Sequence, residues 1–208
     1  MATSLIKRGG LVTFPPFMGE RVYMREFTHQ NGLPPDLRRW QPTVDAMLAD
    51  VETNGPIYLM VDEGFVQAGN THRRGGPHVD GRWVAAMGAH GAHGDPYPHH
   101  LPMPEPRPEP PHPRHSLRVS GHHGHRFDGA TELIVFASDV LGCRAYLGDY
   151  DDTPAEDGNC AHFDLDSLTV INMEPYHVWT GDACTTIHES TPVKHDCLRT
   201  MVRLNVAG

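Results

Sequence analysis

The chain is poor in cysteine. Its four thiols, Cys143, Cys160, Cys184 and Cys197, form no C-x-x-C pair in 208 residues. That excludes a disulfide scaffold and fits a reduced, cytoplasmic protein with free thiols. Long apolar runs are missing too, and no stretch reaches the length of a membrane span. Residues 1–20 carry Lys7 and Arg8 but neither the apolar core nor the cleavage site of a secretory signal. Positive charge is in deficit, with 17 Lys and Arg against 26 Asp and Glu and a formal net charge of −9. Duplex nucleic acid is therefore not an expected main partner, since phosphate binding needs clustered cations. No serine stands in a nucleophile elbow and no glycine loop is spaced to cradle phosphate. Apolar residues reach only 38%, because aliphatic side chains almost vanish between 88 and 126.

What is present reads as one domain, 1–208, of short strands with few helices. Residues 20–28 alternate as a strand, and 34–51 take helical spacing in their second half, with Pro42 suited to a first turn and Asn54-Gly55 marking a stop. Residues 56–68 read as a strand, followed by "PHVDGRWVAAM" after a Gly-Gly-Pro break. The segment 88–126 is a Pro- and His-rich insert. "PMPEPRPEPPHPRH" cannot continue a sheet, because proline removes ladder donors and fixes φ. A loop of this length is a candidate lid. Strands resume at 131–138 and 143–150, with 139–142 a hairpin turn between them, and continue at 167–173, 176–188 and 197–206. The fold class expected is mainly β: a double-stranded β-helix (jelly roll, cupin-like) with a few peripheral helices.

The chemistry-bearing residues start at His78-Val79-Asp80. In a strand, residues i and i+2 face the same side, so His78 and Asp80 can reach one metal while Val79 faces away. His188 closes the apolar segment "ACTTIH" and offers a second imidazole. Two histidines and one carboxylate form the facial ligand set of non-haem Fe(II), which leaves positions open for substrate and O₂. A chain with sixteen histidines can carry an H-x-D pair by chance. The last strand adds weight. In "CLRTMVRLNV", Arg199, Met201, Arg203 and Asn205 share one face, and guanidinium groups bind carboxylates with fixed geometry. The same Arg face is also what a solvated strand would show.

H-x-D, a long interval, H, then ten residues and R resembles the Fe(II)/2-oxoglutarate-dependent dioxygenases. Its taurine dioxygenase-like branch also places a second Arg four residues on, as Arg203 follows Arg199. The resemblance covers residues 56–86 and 131–206. It implies a jelly roll, Fe(II) on His78, Asp80 and His188, and Arg199 on the distal carboxylate of 2-oxoglutarate, with Arg203 on the other end of that co-substrate or on the substrate. The reverse assignment of the two arginines stays open. It further implies O₂-dependent hydroxylation of an unactivated C–H bond in a small molecule or peptide side chain, coupled to decarboxylation of 2-oxoglutarate. The shorter chain and the 88–126 insert depart from that branch, so no substrate carries over.

Other residues have lesser claims. Tyr58 can hydrogen-bond a co-substrate if it faces inward, or serve as core. Trp179 is a candidate substrate contact or a core aromatic. His72-Arg73-Arg74 precedes the H-x-D pair, and Arg74 is a candidate for an anionic substrate or part of a solvated turn. Cys184 and Cys197 fit small apolar core positions better than nucleophiles. A rival, cupin-like metal set is His123, His125 and Glu132 with His188, although the His-rich loop also reads as merely solvated. A non-catalytic jelly-roll module is the third class.

Overall fold

The computed structural model describes residues 1–81, the short strands at 83–85 and 117–119, and residues 132–207. Its strands are β1 (Ala2–Ser4), β2 (Ile6–Leu11), β3 (Arg21–Phe27), β4 (Ile57–Val66), β5 (Trp83–Ala85), β6 (Leu117–Val119), β7 (Leu133–Ser138), β8 (Cys143–Tyr150), β9 (Thr169–Asn172), β10 (His177–Asp182), β11 (Ile187–Ser190) and β12 (Cys197–Val206). One α-helix, α1 (Gln41–Leu48), follows a 3₁₀ turn at Pro35–Trp40. The fold is mainly β, in antiparallel sheets with few helices. Among the described residues no helix is long and apolar enough to cross a membrane.

Six strands make the larger sheet, in the order β2-β10-β7-β12-β4-β3. In the smaller sheet β8 pairs with β1, β9 and β11, and β5 pairs with β6 apart from both. Period-2 alternation gives the larger sheet two chemically different faces. Leu59 and Val61 of β4, Val135 and Ala137 of β7, and Val202 and Leu204 of β12 pack on one face against Trp40, Val44, Met47 and Leu48, each at most 2% exposed. Val44, Met47 and Leu48 are spaced i, i+3, i+4, so one stripe of α1 turns to the sheet, and Pro42 occupies its first turn. Each such side chain contributes about 1.5–3 kcal/mol on burial. The opposite face carries Met60, Phe136, Met201, Arg203 and Asn205, which line a cavity shared with the smaller sheet.

The segment before β3 is strapped to this framework. Glu63, buried on β4, accepts bonds from the Met18 and Glu20 amides at 2.9 and 2.8 Å. Arg39 bridges the Glu20 and Glu63 carboxylates, and Trp40 Nε1 donates to Glu20 at 2.9 Å.

Three expectations need correction. Residues 139–142 are not a hairpin turn: β7 pairs with β10 and β12, whereas β8 belongs to the smaller sheet, so the chain crosses between sheets there. Residues 176–188 are two strands, β10 and β11, in different sheets. Asp182 breaks the run by accepting bonds from the Cys184 and Thr185 amides at 2.8 and 2.9 Å. The helix stops at Leu48, before Asn54-Gly55, where the Val51 amide bonds Leu48 O and buries Val51. The insert at 88–126, with its lid role, lies outside the described residues except for β6.

Candidate metal centre

The H-x-D segment is an extended strip held on both edges rather than a regular strand. His78 and His188 exchange backbone bonds, each amide reaching the other's carbonyl at 2.9 Å. On the opposite edge the Val79 amide donates to Gly158 O at 3.0 Å and the Cys160 amide to Pro77 O at 2.8 Å. Alternation then acts as expected. Val79 enters an apolar cluster with Tyr146, Cys160, Phe163 and Ile187, while His78 and Asp80 turn to the cavity beside His188 of β11. Gly158 has φ +81° and lies so close to Val79 O that a Cβ would meet it at 2.3 Å, so only glycine lets this strip approach.

Ligand atoms of His78, Asp80 and His188 all lie within 4.8 Å of one another. The two rings are 4.6 Å apart. His78 Nδ1 bonds Gly76 O at 2.8 Å and His188 Nδ1 bonds Thr186 O at 3.0 Å. A ring whose Nδ1–H donates to a carbonyl keeps its Nε2 lone pair free, which fixes the tautomer a metal requires. Burial, aided by the neighbouring His188, pushes the His78 imidazole down to about 4, so it is neutral and ready to ligate at pH 7. For Asp80 burial acts upward, but the Arg203 guanidinium and both imidazoles prevail and hold the carboxyl well below the usual carboxylate range.

The two arginines of β12 take different positions. Arg203 Nη1 reaches Asp80 Oδ2 at 2.9 Å, the same oxygen that lies 3.7 Å from His188 Nε2. Arg199 is fully buried, not solvated. Its Nε donates to Ser138 Oγ at 3.0 Å and its Nη2 to Cys143 Sγ at 3.2 Å, while Nη1 is buried without a partner. Cys143 lines the cavity, so Arg199 stands one side chain behind its wall. No carboxylate lies in ion-pair reach of Arg199 among the described residues.

Other anticipated residues are partly reassigned. Arg74 lines the cavity and binds Asp157 twice, Nη1 to the carbonyl and Nη2 to Oδ2, both at 2.9 Å. Trp179 is a core residue, packed with Cys143, Ala145 and Met173, and does not line the cavity. Tyr58 shares the inner face with Met60 but packs on the methionine cluster outside the cavity lining. Burial and the nearby Glu26 raise its hydroxyl above the usual phenol range. His123 and His125 lie outside the described residues, and Glu132 is buried, accepting from Asn205 Nδ2 at 2.8 Å. Cys184 is buried as expected, whereas Cys197 is only half-buried.

Sequence reasoning missed Asp62, buried behind the cavity with Arg73 Nη1 at 2.9 Å, Arg21 at 3.3 Å and His72 at 3.5 Å. Alternation along β4 places Asp62 on the face of Met60, which is the signal that could have found it. It also missed Cys143 and Glu189. Glu189 accepts from Arg144 Nε at 2.6 Å and from Tyr146 Oη. Burial and that carboxylate push Tyr146 up to about 12. Compared with protein-family models, with curated proteins and with solved structures, the chain matches none.

Proposed function

We propose that this chain is an Fe(II)/2-oxoglutarate-dependent oxygenase that hydroxylates an unactivated C–H bond, built as a double-stranded β-helix around its metal. The observation that carries this reading is the convergence of His78, Asp80 and His188 within 4.8 Å, with both imidazole Nδ1 atoms already occupied by carbonyls. Two nitrogens and one oxygen suit Fe(II) and cover only part of its coordination sphere. Held there by His78, Asp80 and His188, iron would supply open coordination positions for 2-oxoglutarate and O₂ chemistry.

The chain's own residues do the rest. Arg203 orients Asp80 through Oδ2 and keeps it ionised. Arg199 supports the co-substrate assignment, because a buried guanidinium with one orphaned nitrogen and only neutral acceptors is costly. A carboxylate arriving beside Cys143 would satisfy that nitrogen, which favours Arg199 over the Asp80-bound Arg203 for the distal end of 2-oxoglutarate. Met60, Met201 and Phe136 keep one side of the cavity apolar and limit water.

Anaerobic protein given Fe(II) and 2-oxoglutarate should show a weak charge-transfer band in the green region. His78→Ala should abolish it by losing metal, and Arg199→Ala by losing co-substrate while Fe(II) still binds. A band that survives His78→Ala contradicts the ligand assignment.

A further inference from the structure

The inner face of β12 carries two orphaned polar atoms at neighbouring positions. Asn205 is only 3% exposed and lines the cavity, yet its Oδ1 is buried without a partner among the described residues. Turning the amide over does not relieve this. Nδ2 donates to the buried Glu132 carboxylate at 2.8 Å, so a flip would set two acceptors against each other. Asn205 is therefore a fixed acceptor. Two residues back on the same face, Arg203 commits Nη1 to Asp80 at 2.9 Å, while its Nε is buried without a partner among the described residues. An unmet acceptor and an unmet donor, both buried, are each costly, and one ligand that meets both removes both costs.

Placement along the strand says which ligand. Arg199 and Asn205 are six residues apart on β12, a rise of roughly 20 Å. Arg203, with the Asp80 it holds, lies between them. 2-Oxoglutarate held at Arg199 and reaching the metal is too short to touch Asn205 as well. The Asn205 end of the cavity is left to the other substrate. Charge does not select that substrate, since Arg203 is matched by Asp80, Arg73 by Asp62 and Arg74 by Asp157. Met60 and Phe136, which flank Arg203 on β4 and β7, give the same stretch an apolar wall.

We propose that Asn205 and Arg203 read an amide group of the substrate, whose N–H donates to Asn205 Oδ1 and whose carbonyl accepts from Arg203 Nε. The proposal rests on the oxygenase reading and adds the recognised group to it. A neutral amide offers one donor and one acceptor together. A carboxylate brings no donor and an ammonium no acceptor, so each leaves one of the two atoms unmet. Glu132 acts as a positioning residue that fixes which way the Asn205 amide faces.

The test uses whole protein loaded anaerobically with Fe(II) and 2-oxoglutarate. The probes are hexanamide, N-methylhexanamide and N,N-dimethylhexanamide, with hexanoate and hexylamine alongside. Binding is read by titration calorimetry and as a shift of the charge-transfer band. Hexanamide should bind about tenfold more tightly than the dimethyl form, which keeps the carbonyl but has lost the N–H. N-methylhexanamide should side with hexanamide, which separates loss of the donor from added bulk. Asn205→Leu should erase the preference while the band persists, and if that variant does not fold, the ligand series decides alone. Equal binding of hexanamide and its dimethyl form, tighter binding of hexanoate or hexylamine than of hexanamide, or a preference that survives in folded Asn205→Leu overturns the proposal alone. Absence of the band at the outset overturns the oxygenase reading and the proposal with it.

Discussion

Asp62 shows how a single buried carboxylate links stability to the site. Burial acts to raise it, but the hydrogen bonds and charges of His72 and Arg73 prevail and hold it at about 2 instead of 3.8. As pH falls, the unfolded chain takes up this proton first. The group's contribution, about 2 kcal/mol, is therefore fully present above about pH 4 and lost as pH drops toward 2. Asp62→Asn should be less stable than the parent at neutral pH and should lose less in acid. Urea unfolding across that range checks this, and parallel acid limbs in the two proteins would contradict it. At this scale the H-x-D pair and His188 were legible in sequence because alternation and spacing are local. Asp62, His72 and the role of Trp179 were not. Burial of a polar group, or of an aromatic one, depends on what packs over it, and those partners come from other elements.

Among the elements, the 139–142 crossover matters most to the site. Its Gly142 leaves room for Arg199: a Cβ there would sit 2.7 Å from Nη1 and 2.9 Å from Cζ. Gly142→Ala should push the guanidinium out of place and weaken 2-oxoglutarate binding by about 1–3 kcal/mol, with Fe(II) affinity unchanged. Separate calorimetric titrations of metal and co-substrate distinguish the two, and equal losses in both would contradict this role. β12 was legible because ten residues alternate without interruption and both edges are paired. β2 was not, since "IKRGGL" is an edge strand that pairs only with β10 and needs little apolar character. The break between β10 and β11 was hidden because side-chain capping by Asp182 leaves no proline, and its only glycine, Gly181, lies within β10.

At the scale of the molecule, the larger sheet separates two jobs. One face packs on α1 and Trp40 and contributes stability, and the other presents Met60, Met201 and Arg203 to the centre. Mainly-β architecture followed from strand patterning, but the assignment of strands to sheets did not, because pairing is non-local and a connection such as 139–142 reads the same whether it turns back or crosses. The two sheets bring His78 and Asp80, from the strip after β4, against His188 of β11, with β12 behind them. The most direct test of that arrangement is the fate of 2-oxoglutarate when Fe(II)-loaded protein is exposed to O₂. Succinate should form in step with O₂ consumption, even slowly without added substrate, and should cease in His188→Ala. Fe(II) bound at this site with 2-oxoglutarate left intact, or succinate formed equally by His188→Ala, would contradict the assignment.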